Sequence, residues 1–266
     1  MTEHLLVIKV GTNSLMSKDS NGLERLNNDV FENISCQIND LRSSGYKVVL
    51  VSSGAITAGM ISIGLNERPD KETEMPKLQS LASIGWRSVL NAWDEFIDCP
   101  IGELLVTRND FSNKREKNEL LAVVFELLEG GSLPLMNEND ALSHEEISFG
   151  DNDTLASHFA VALKQTGGFQ SVRFILLTDV NGLYRDYEDP ESLIKIVECA
   201  QINDVRDCVS GNASKNGTGG MSSKLDAASI ACANGIDTFV AGSYQEDAVK
   251  ESINGNIGTR FLALSD

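Results

Sequence analysis

The stretch Leu5–Leu6–Val7–Ile8–Lys9–Val10–Gly11–Thr12–Asn13, the stripe Val30, Ile34, Ile38 and Leu41, and the run Lys47–Val48–Val49–Leu50–Val51 together decide the fold. The first and last runs are short, apolar and rich in strand formers. Between them the apolar residues recur at helical spacing and stop before Gly45, a C-terminal stop signal. The three segments predict a β-α-β unit.

The same alternation continues outward along the chain. Further strands are expected over Gly102–Val106, Leu133–Met136, Val172–Leu177 and Asp237–Ala241, and helices over Ala55–Ile63, Lys77–Phe96, Glu116–Leu128, Thr154–Lys164 and Lys224–Ala233. Strands alternating with longer helical segments indicate an α/β fold around a mainly parallel sheet. The charged, proline-bearing segment Asn66–Pro76 reads as an exposed loop, and the Gly-, Ser- and Asn-rich segment Ser210–Gly220 as a mobile one.

Composition narrows the function. The 266 residues are 41% hydrophobic and 23% charged, which suits one or two globular domains with a sizeable core. Lys and Arg number 22 against 39 Asp and Glu, a formal net charge of −17. Such a surface repels a phosphate backbone, so neither nucleic acid nor an anionic membrane is an expected partner. Apolar runs such as Leu133–Met136 fall far short of the roughly 18 residues of a spanning helix. The N-terminus has no secretory pattern, so a cytoplasmic location is expected. Cys36, Cys99, Cys199, Cys208 and Cys232 are scattered and read as reduced core thiols. His4, His144 and His158 do not recur at metal-ligand spacing, and carboxylates alone would suit magnesium better than a transition metal.

Polar clusters recur immediately after the predicted strands. They are Gly11–Thr12–Asn13, Ser52–Ser53–Gly54–Ala55, Thr107–Arg108–Asn109–Asp110, Asn137–Glu138–Asn139–Asp140 and Thr178–Asp179. In an open α/β sheet, ligands bind outside the carboxyl ends of the strands, so five such clusters would share one rim. Any one of them, taken singly, is better read as an ordinary polar loop.

Two lysines sharpen this picture. Lys9 interrupts an apolar strand and needs an anion or a hydrogen-bonded carboxylate beside it. Lys224 follows Thr218–Gly219–Gly220–Met221–Ser222–Ser223 and is expected in the first turn of a helix, with Ser223 and Asp226 at capping-box spacing. A cation there opposes the helix dipole unless a negative ligand compensates, and the free N–H groups of such a turn favour phosphate. The alternative is a lysine whose stem reaches solvent. No G-x-x-x-x-G-K-[ST] loop occurs, and Gly217–Thr218–Gly219 lacks the third glycine of a dinucleotide fingerprint. In Gly150–Asp151–Asn152–Asp153 one polar residue can cap the following helix, and a carboxylate among the others could hold both ammonium groups.

Together Lys9–Val10–Gly11–Thr12, Ser52–Ser53–Gly54–Ala55, Asn137–Glu138–Asn139–Asp140, Gly150–Asp151–Asn152–Asp153, Thr178–Asp179 with Gly182–Leu183–Tyr184, and Gly217–Thr218–Gly219–Gly220–Met221–Ser222–Ser223–Lys224 resemble the amino acid kinase family. Their order is that of its glutamate-phosphorylating members, and the likeness runs from about Leu5 to Phe261. It implies a three-layer α/β/α sandwich, a single kinase domain over residues 1–266 without the C-terminal PUA domain of many relatives, and transfer of phosphate from ATP, with Mg2+, to the side-chain carboxylate of L-glutamate. Lys9, Lys224 and Asp153 would be catalytic. Ser53, Gly54, Ala55, Asn137, Asp140 and Asn152 would hold glutamate. Lys9, Gly11, Thr178, Asp179, Thr218, Gly219, Gly220, Met221, Ser222, Ser223 and Lys224 would line the ATP site. A homo-oligomer, feedback inhibition by proline and a link to the reductase glutamate-5-semialdehyde dehydrogenase are implied in the same way.

The chain also departs from the pattern. Trp86 stands where Gln is usual, Arg115–Leu121 lacks an Asn-Ala stretch, and Asn212–Asn216 lengthen the Gly-rich loop. Two other readings remain at this stage. One keeps the fold but changes the acceptor to another carboxylate, a carbamate or a phosphate monoester. The other is a non-catalytic regulator that retains the pocket.

Overall fold

The computed structural model describes residues 3–142, 152–210 and 218–264. The first half runs β1 (His4–Val10), α1 (Thr12–Leu15), β2 (Met16–Lys18), β3 (Glu24–Leu26), α2 (Asn28–Ser43), β4 (Lys47–Ser52), α3 (Ala55–Ile63), α4 (Met75–Asp94), β5 (Ile101–Val106), α5 (Arg108–Ser112) and α6 (Lys114–Glu129). The second runs β6 (Leu133–Glu138), α7 (Asn152–Gln165), β7 (Ser171–Thr178), β8 (Leu183–Tyr184), β9 (Leu193–Ile194), β10 (Ile196–Glu198), α8 (Ile202–Ser210), α9 (Thr218–Ala233), β11 (Asp237–Gly242), α10 (Ala248–Ile253) and β12 (Thr259–Leu262).

Eight of these strands form one sheet in the order β10-β12-β11-β7-β1-β4-β6-β5. The six strands expected from sequence run parallel, and β12, with β10 parallel to it, runs antiparallel to them beside β11. Alternation along β1 separates the two cores. Leu6, Ile8 and Val10 meet α2, α3, α4 and α10, whereas Leu5 and Val7 meet α6, α7 and α9. The molecule is therefore a three-layer α/β/α sandwich with the sheet as its middle layer. No helix among the described residues is long and apolar enough to cross a membrane.

Two contacts set the rim of the first layer. Phe31 packs edge-on against Trp93 with ring centroids 4.6 Å apart, and the Trp93 indole donates to Ser52 Oγ over 2.9 Å, tying α2 and α4 to the end of β4. Helices α3 and α4 touch through glycines. A Cβ on Gly85 would stand 2.0 Å from the Ala55 carbonyl oxygen, and one on Gly59 equally close to that of Leu81.

Several expectations need correction. The parallel strands run one or two residues further than their apolar cores, so Ser52, Asn137, Glu138 and Thr178 are strand residues whose backbone is already paired in or beside the sheet. Helix α9 begins at Thr218, which places Lys224 in its second turn. The dipole argument at that lysine therefore fails. The capping box does not form either, because Asp226 pairs with Arg206 over 2.6 Å and the Ser223 hydroxyl serves elsewhere. Of the segment read as a mobile loop, Ser210 ends α8 and Thr218–Gly220 open α9, while residues 211–217 lie outside the described ones. His144, Gly150 and Asp151 lie outside them too. Among the cysteines whose side chains are described, Cys232 alone is a core thiol; Cys99 and Cys199 are partly buried, and Cys36 is exposed on α2.

Candidate active site

Lys9 shares a face of β1 with Leu5 and Val7, so it points into the layer that contains α7 and α9. Helix α7 packs against α9 through small residues, among them Ala156, Ala160, Ala227 and Ala228, all buried. That packing brings Asp153, in the first turn of α7, opposite Lys224 of α9. Lys9 Nζ lies 2.5 Å from Asp153 Oδ1, and Lys224 Nζ lies 3.1 Å from Asp153 Oδ2. Lys224 also donates to the Gly220 carbonyl oxygen over 3.1 Å, and the Ser223 hydroxyl donates to Asp153 Oδ2 at the same distance.

These three charged side chains are almost wholly out of solvent, at 4% exposure for Lys9, 0% for Asp153 and 7% for Lys224. Burying charge is costly unless it is paired. One carboxylate neutralises one ammonium, so the group in direct contact keeps an excess positive charge. An anion is its natural complement. Gly11 leaves room beside it, since a Cβ there would sit 3.8 Å from the Lys9 ammonium.

A second polar group lies across β4 and β6 from the lysines. Asn152 opens α7 but does not act as its cap. Its amide donates to the Asn137 side-chain oxygen over 2.9 Å and to Ser53 Oγ over 3.1 Å, and its own oxygen accepts from the Glu138 N–H. Asn137 in turn donates to Asp140 over 3.4 Å. Burial pushes the half-buried Asp140 carboxyl up to about 6, against the opposing influence of the Asn137 hydrogen bond and the Arg68 charge. Gly54 precedes α3 with φ 103°, a left-handed conformation that favours glycine, and this turns the chain from Ser53 into Ala55 at the rim.

The third group follows β7. The Thr178 hydroxyl donates to Asp179 Oδ1 over 2.9 Å, Asn13 donates to Asp179 Oδ2 over 3.0 Å, and the Tyr244 hydroxyl donates to the Asp179 carbonyl. Asn13 stood in the first polar cluster without an assigned role, and Tyr244 was not among the sequence candidates, although it follows the sixth parallel strand as the other clusters follow theirs. The buried Glu138 likewise stood in its cluster without an assigned role. Of the candidates on α9, Gly220, Ser223 and Lys224 meet Asp153 or one another. Thr218 and Gly219 form the helix start, Met221 packs against the second core, and Ser222 accepts from Arg206 over 3.1 Å instead of joining the lysines.

Trp86, the departure noted in α4, is buried and donates its indole N–H to Glu103 of β5. It is a packing residue between α4 and the sheet edge.

Residues 4–242 match the amino acid kinase family. The chain is 38% identical to the glutamate 5-kinase of Clostridium acetobutylicum over 97% of its own length and 94% of that protein's. It is 34% identical to the glutamate 5-kinase of Clostridium perfringens, with 97% and 95% covered, and 34% identical to that of Streptococcus suis, with 99% and 72% covered. Among solved structures, carbamate kinase from Giardia lamblia bound to AMP-PNP superposes with a TM-score of 0.66 at 20% identity, covering 98% of each chain. An isopentenyl phosphate kinase gives 0.59 at 18% identity over 97% of this chain and 100% of its own. These two likenesses concern the fold. With its sandwich, its rim of polar clusters and its full-length sequence relatives, the chain belongs to the amino acid kinase family, on the branch of the glutamate 5-kinases.

Proposed function

We propose that the protein transfers the γ-phosphoryl group of ATP to the side-chain carboxylate of L-glutamate, forming ADP and L-glutamyl 5-phosphate, the first step of proline biosynthesis. The observation that carries this reading is the buried Lys9–Asp153–Lys224 group with its excess positive charge, together with the hydrogen-bonded cluster of Ser53, Asn137, Asp140 and Asn152 on the same rim. The named relatives supply the substrate.

The chemistry suits the residues present. A glutamate side chain ionises near pH 4.3, so at neutral pH the attacking oxygen needs no general base. What remains is alignment and neutralisation of charge on the phosphoryl oxygens. Lys9 and Lys224 supply the neutralisation, and Asp153 holds their ammonium groups apart and in place. As the acceptor oxygen bonds to the γ-phosphorus, the bond to the β,γ-bridging oxygen breaks and ADP leaves with that electron pair. Asp140 pairs with the ammonium of the amino acid, while Ser53, Gly54, Ala55, Asn137 and Asn152 surround its chain. Gly11, Thr178, Asp179 and the start of α9 border the nucleotide.

Among the described residues, no group of three or more His, Cys, Asp or Glu could hold a metal ion. Asp153 has an oxygen on each lysine. Magnesium would enter this site with the nucleotide and would offset charge on the triphosphate.

The test is ADP release with Mg-ATP and glutamate, in the presence of hydroxylamine. An acyl phosphate is trapped as the hydroxamate, whereas a phosphate-monoester acceptor yields none. Glutamate-dependent ADP release without hydroxamate would refute the reading. Repeating the assay with proline tests feedback inhibition, which belongs to the same reading, as do a homo-oligomeric assembly and supply of the product to glutamate-5-semialdehyde dehydrogenase.

A further inference from the structure

Lys224 can serve a phosphoryl group only if the start of α9 keeps its place while the ligand enters. Helix α9 packs on α7 through Ala227 and Ala228, both fully buried, whereas Gly220, Ser223 and Lys224 lie in the two turns before them. In front, these turns are held by the bonds of Ser223 and Lys224 to Asp153. Those bonds change in the proposed reaction, because a phosphate that accepts from the Lys224 ammonium competes with Asp153 for it.

Behind, the same turns are held by one arginine. Arg206 of α8 donates through Nη1 to Ser222 Oγ over 3.1 Å and through Nη2 to Asp226 Oδ1 over 2.6 Å. Ser222 and Asp226 are four residues apart and so share one face of α9. Lys224 projects about 200° round the helix from Ser222, on its opposite side. The guanidinium therefore grips α9 at the back of the turn whose front presents the ammonium.

Helix α8 is a firm base for that grip. Ile202 is buried and Val205 packs against the second core, which also receives Leu225 of α9. A guanidinium holds two acceptors at once in a fixed fork, which an ammonium on a flexible stem does not. The side chains are 28% exposed for Arg206 and 54% for Asp226, and a pair so open to solvent adds little to folding stability. Its effect is local to the start of α9.

We propose that Arg206 is a positioning residue for phosphoryl transfer. By gripping Ser222 and Asp226 it fixes the first two turns of α9, so that Lys224 stays aligned while it shares its hydrogen bonds between Asp153 and the phosphate. It acts through α9 and not by contact with the nucleotide. This assignment rests on the phosphoryl-transfer reading above.

The experiment uses the full-length protein and its R206Q, R206K, D226N and R206Q/D226N variants. Steady-state ADP release, the calorimetric Kd for Mg-ATP and ligand-free thermal unfolding are measured for each. R206Q and D226N should each lower kcat by about tenfold, with the glutamate KM unchanged, as expected when a reacting group is slightly misplaced. Both should weaken Mg-ATP binding by a similar factor, and the double variant should lose no more than either single one. R206K, which keeps the charge without the fork, should fall between. Tm should shift by no more than about 4 °C in any of them. An arginine that merely attracted the triphosphate would give opposite signs: R206Q would weaken nucleotide binding, whereas D226N, which removes a negative charge, would strengthen it. That pair of signs would overturn the assignment, as would unchanged kcat in both single variants, multiplicative losses in the double one, or losses that follow a large fall in Tm. If the unaltered protein released no ADP with glutamate, the proposed function itself would fail. The Mg-ATP affinities, which need no acceptor, would then still decide the role of Arg206.

Discussion

The Lys9 ammonium sits 2.5 Å from Asp153 Oδ1, joining the central strand to the first turn of α7 with both side chains nearly sealed from solvent. The second carboxylate oxygen is held by Lys224, so one anion serves two cations. This imbalance makes a set of stability and activity effects that depend on which member is removed.

Removing the anion should be the most damaging change. D153N leaves two buried ammonium groups without the carboxylate that pairs with both, at a cost of about 3–5 kcal/mol. K9M leaves the balanced Asp153–Lys224 pair and places an unbranched apolar stem where a lysine stem already runs. Thermal unfolding without ligands should therefore rank D153N well below K9M. The reverse order would mean that the carboxylate is not the common partner.

For turnover the lysines matter individually. K9M and K224M should each lower kcat by roughly 10²–10³-fold, the scale seen when one preorganised donor to a charged transition state is lost. Because both act on one phosphoryl group, the double variant should lose less than the product of the single losses. Steady-state ADP release measures all three. A fully multiplicative loss would separate the two lysines into independent roles.

Asp140 sets a pH dependence. Its carboxyl titrates near 6 in the free protein, and it must be ionised to pair with an ammonium. As pH falls below about 6, the KM for glutamate should rise by about tenfold per unit until the complex itself takes up the proton, with the KM for Mg-ATP flat. D140N should have a high glutamate KM at every pH and lose this dependence. Since the folded value lies above the ordinary 3.8, the favourable contribution of this group to folding is complete below 3.8 and lost as pH rises through about 6. Glutamate should accordingly stabilise the protein more at pH 7 than at pH 5, measured as a shift in Tm.

The contact between α3 and α4 carries the rim from behind. An alanine at Gly85 would drive its methyl to 2.0 Å from the Ala55 carbonyl and 2.1 Å from the Gly59 nitrogen, so the helices must part. G85A should cost about 3 kcal/mol or more and, in whatever folds, raise the glutamate KM through displacement of Ser53–Ala55. An unchanged Tm would show that the helices can separate freely.

What the sequence disclosed follows from the range of the forces involved. Five of the six parallel strands are buried on both faces, so Leu5–Val10 and its counterparts stand out as apolar runs, while β5 lies at the sheet edge, and α2, α3 and α4 carry their own periodicity. Short strands of two or three residues such as β2, β3, β8 and β9 have no such run and were not foreseen. The site divided the same way. Lys9 was legible because an ammonium inside an apolar strand is an anomaly in one dimension. Lys224 was legible as a residue but not in its setting, because helix α9 starts two turns earlier than its apolar pattern does.

The central claim is that one triphosphate end completes the charge balance of Lys9, Asp153 and Lys224. A crystal structure of the protein with L-glutamate and a non-hydrolysable Mg-ATP analogue tests it directly. The account predicts both ammonium groups within about 3 Å of γ-phosphate oxygens, with the glutamate side-chain carboxylate on the far side of the γ-phosphorus from the leaving oxygen. A triphosphate bound elsewhere, with both lysines still held only by Asp153, would contradict it.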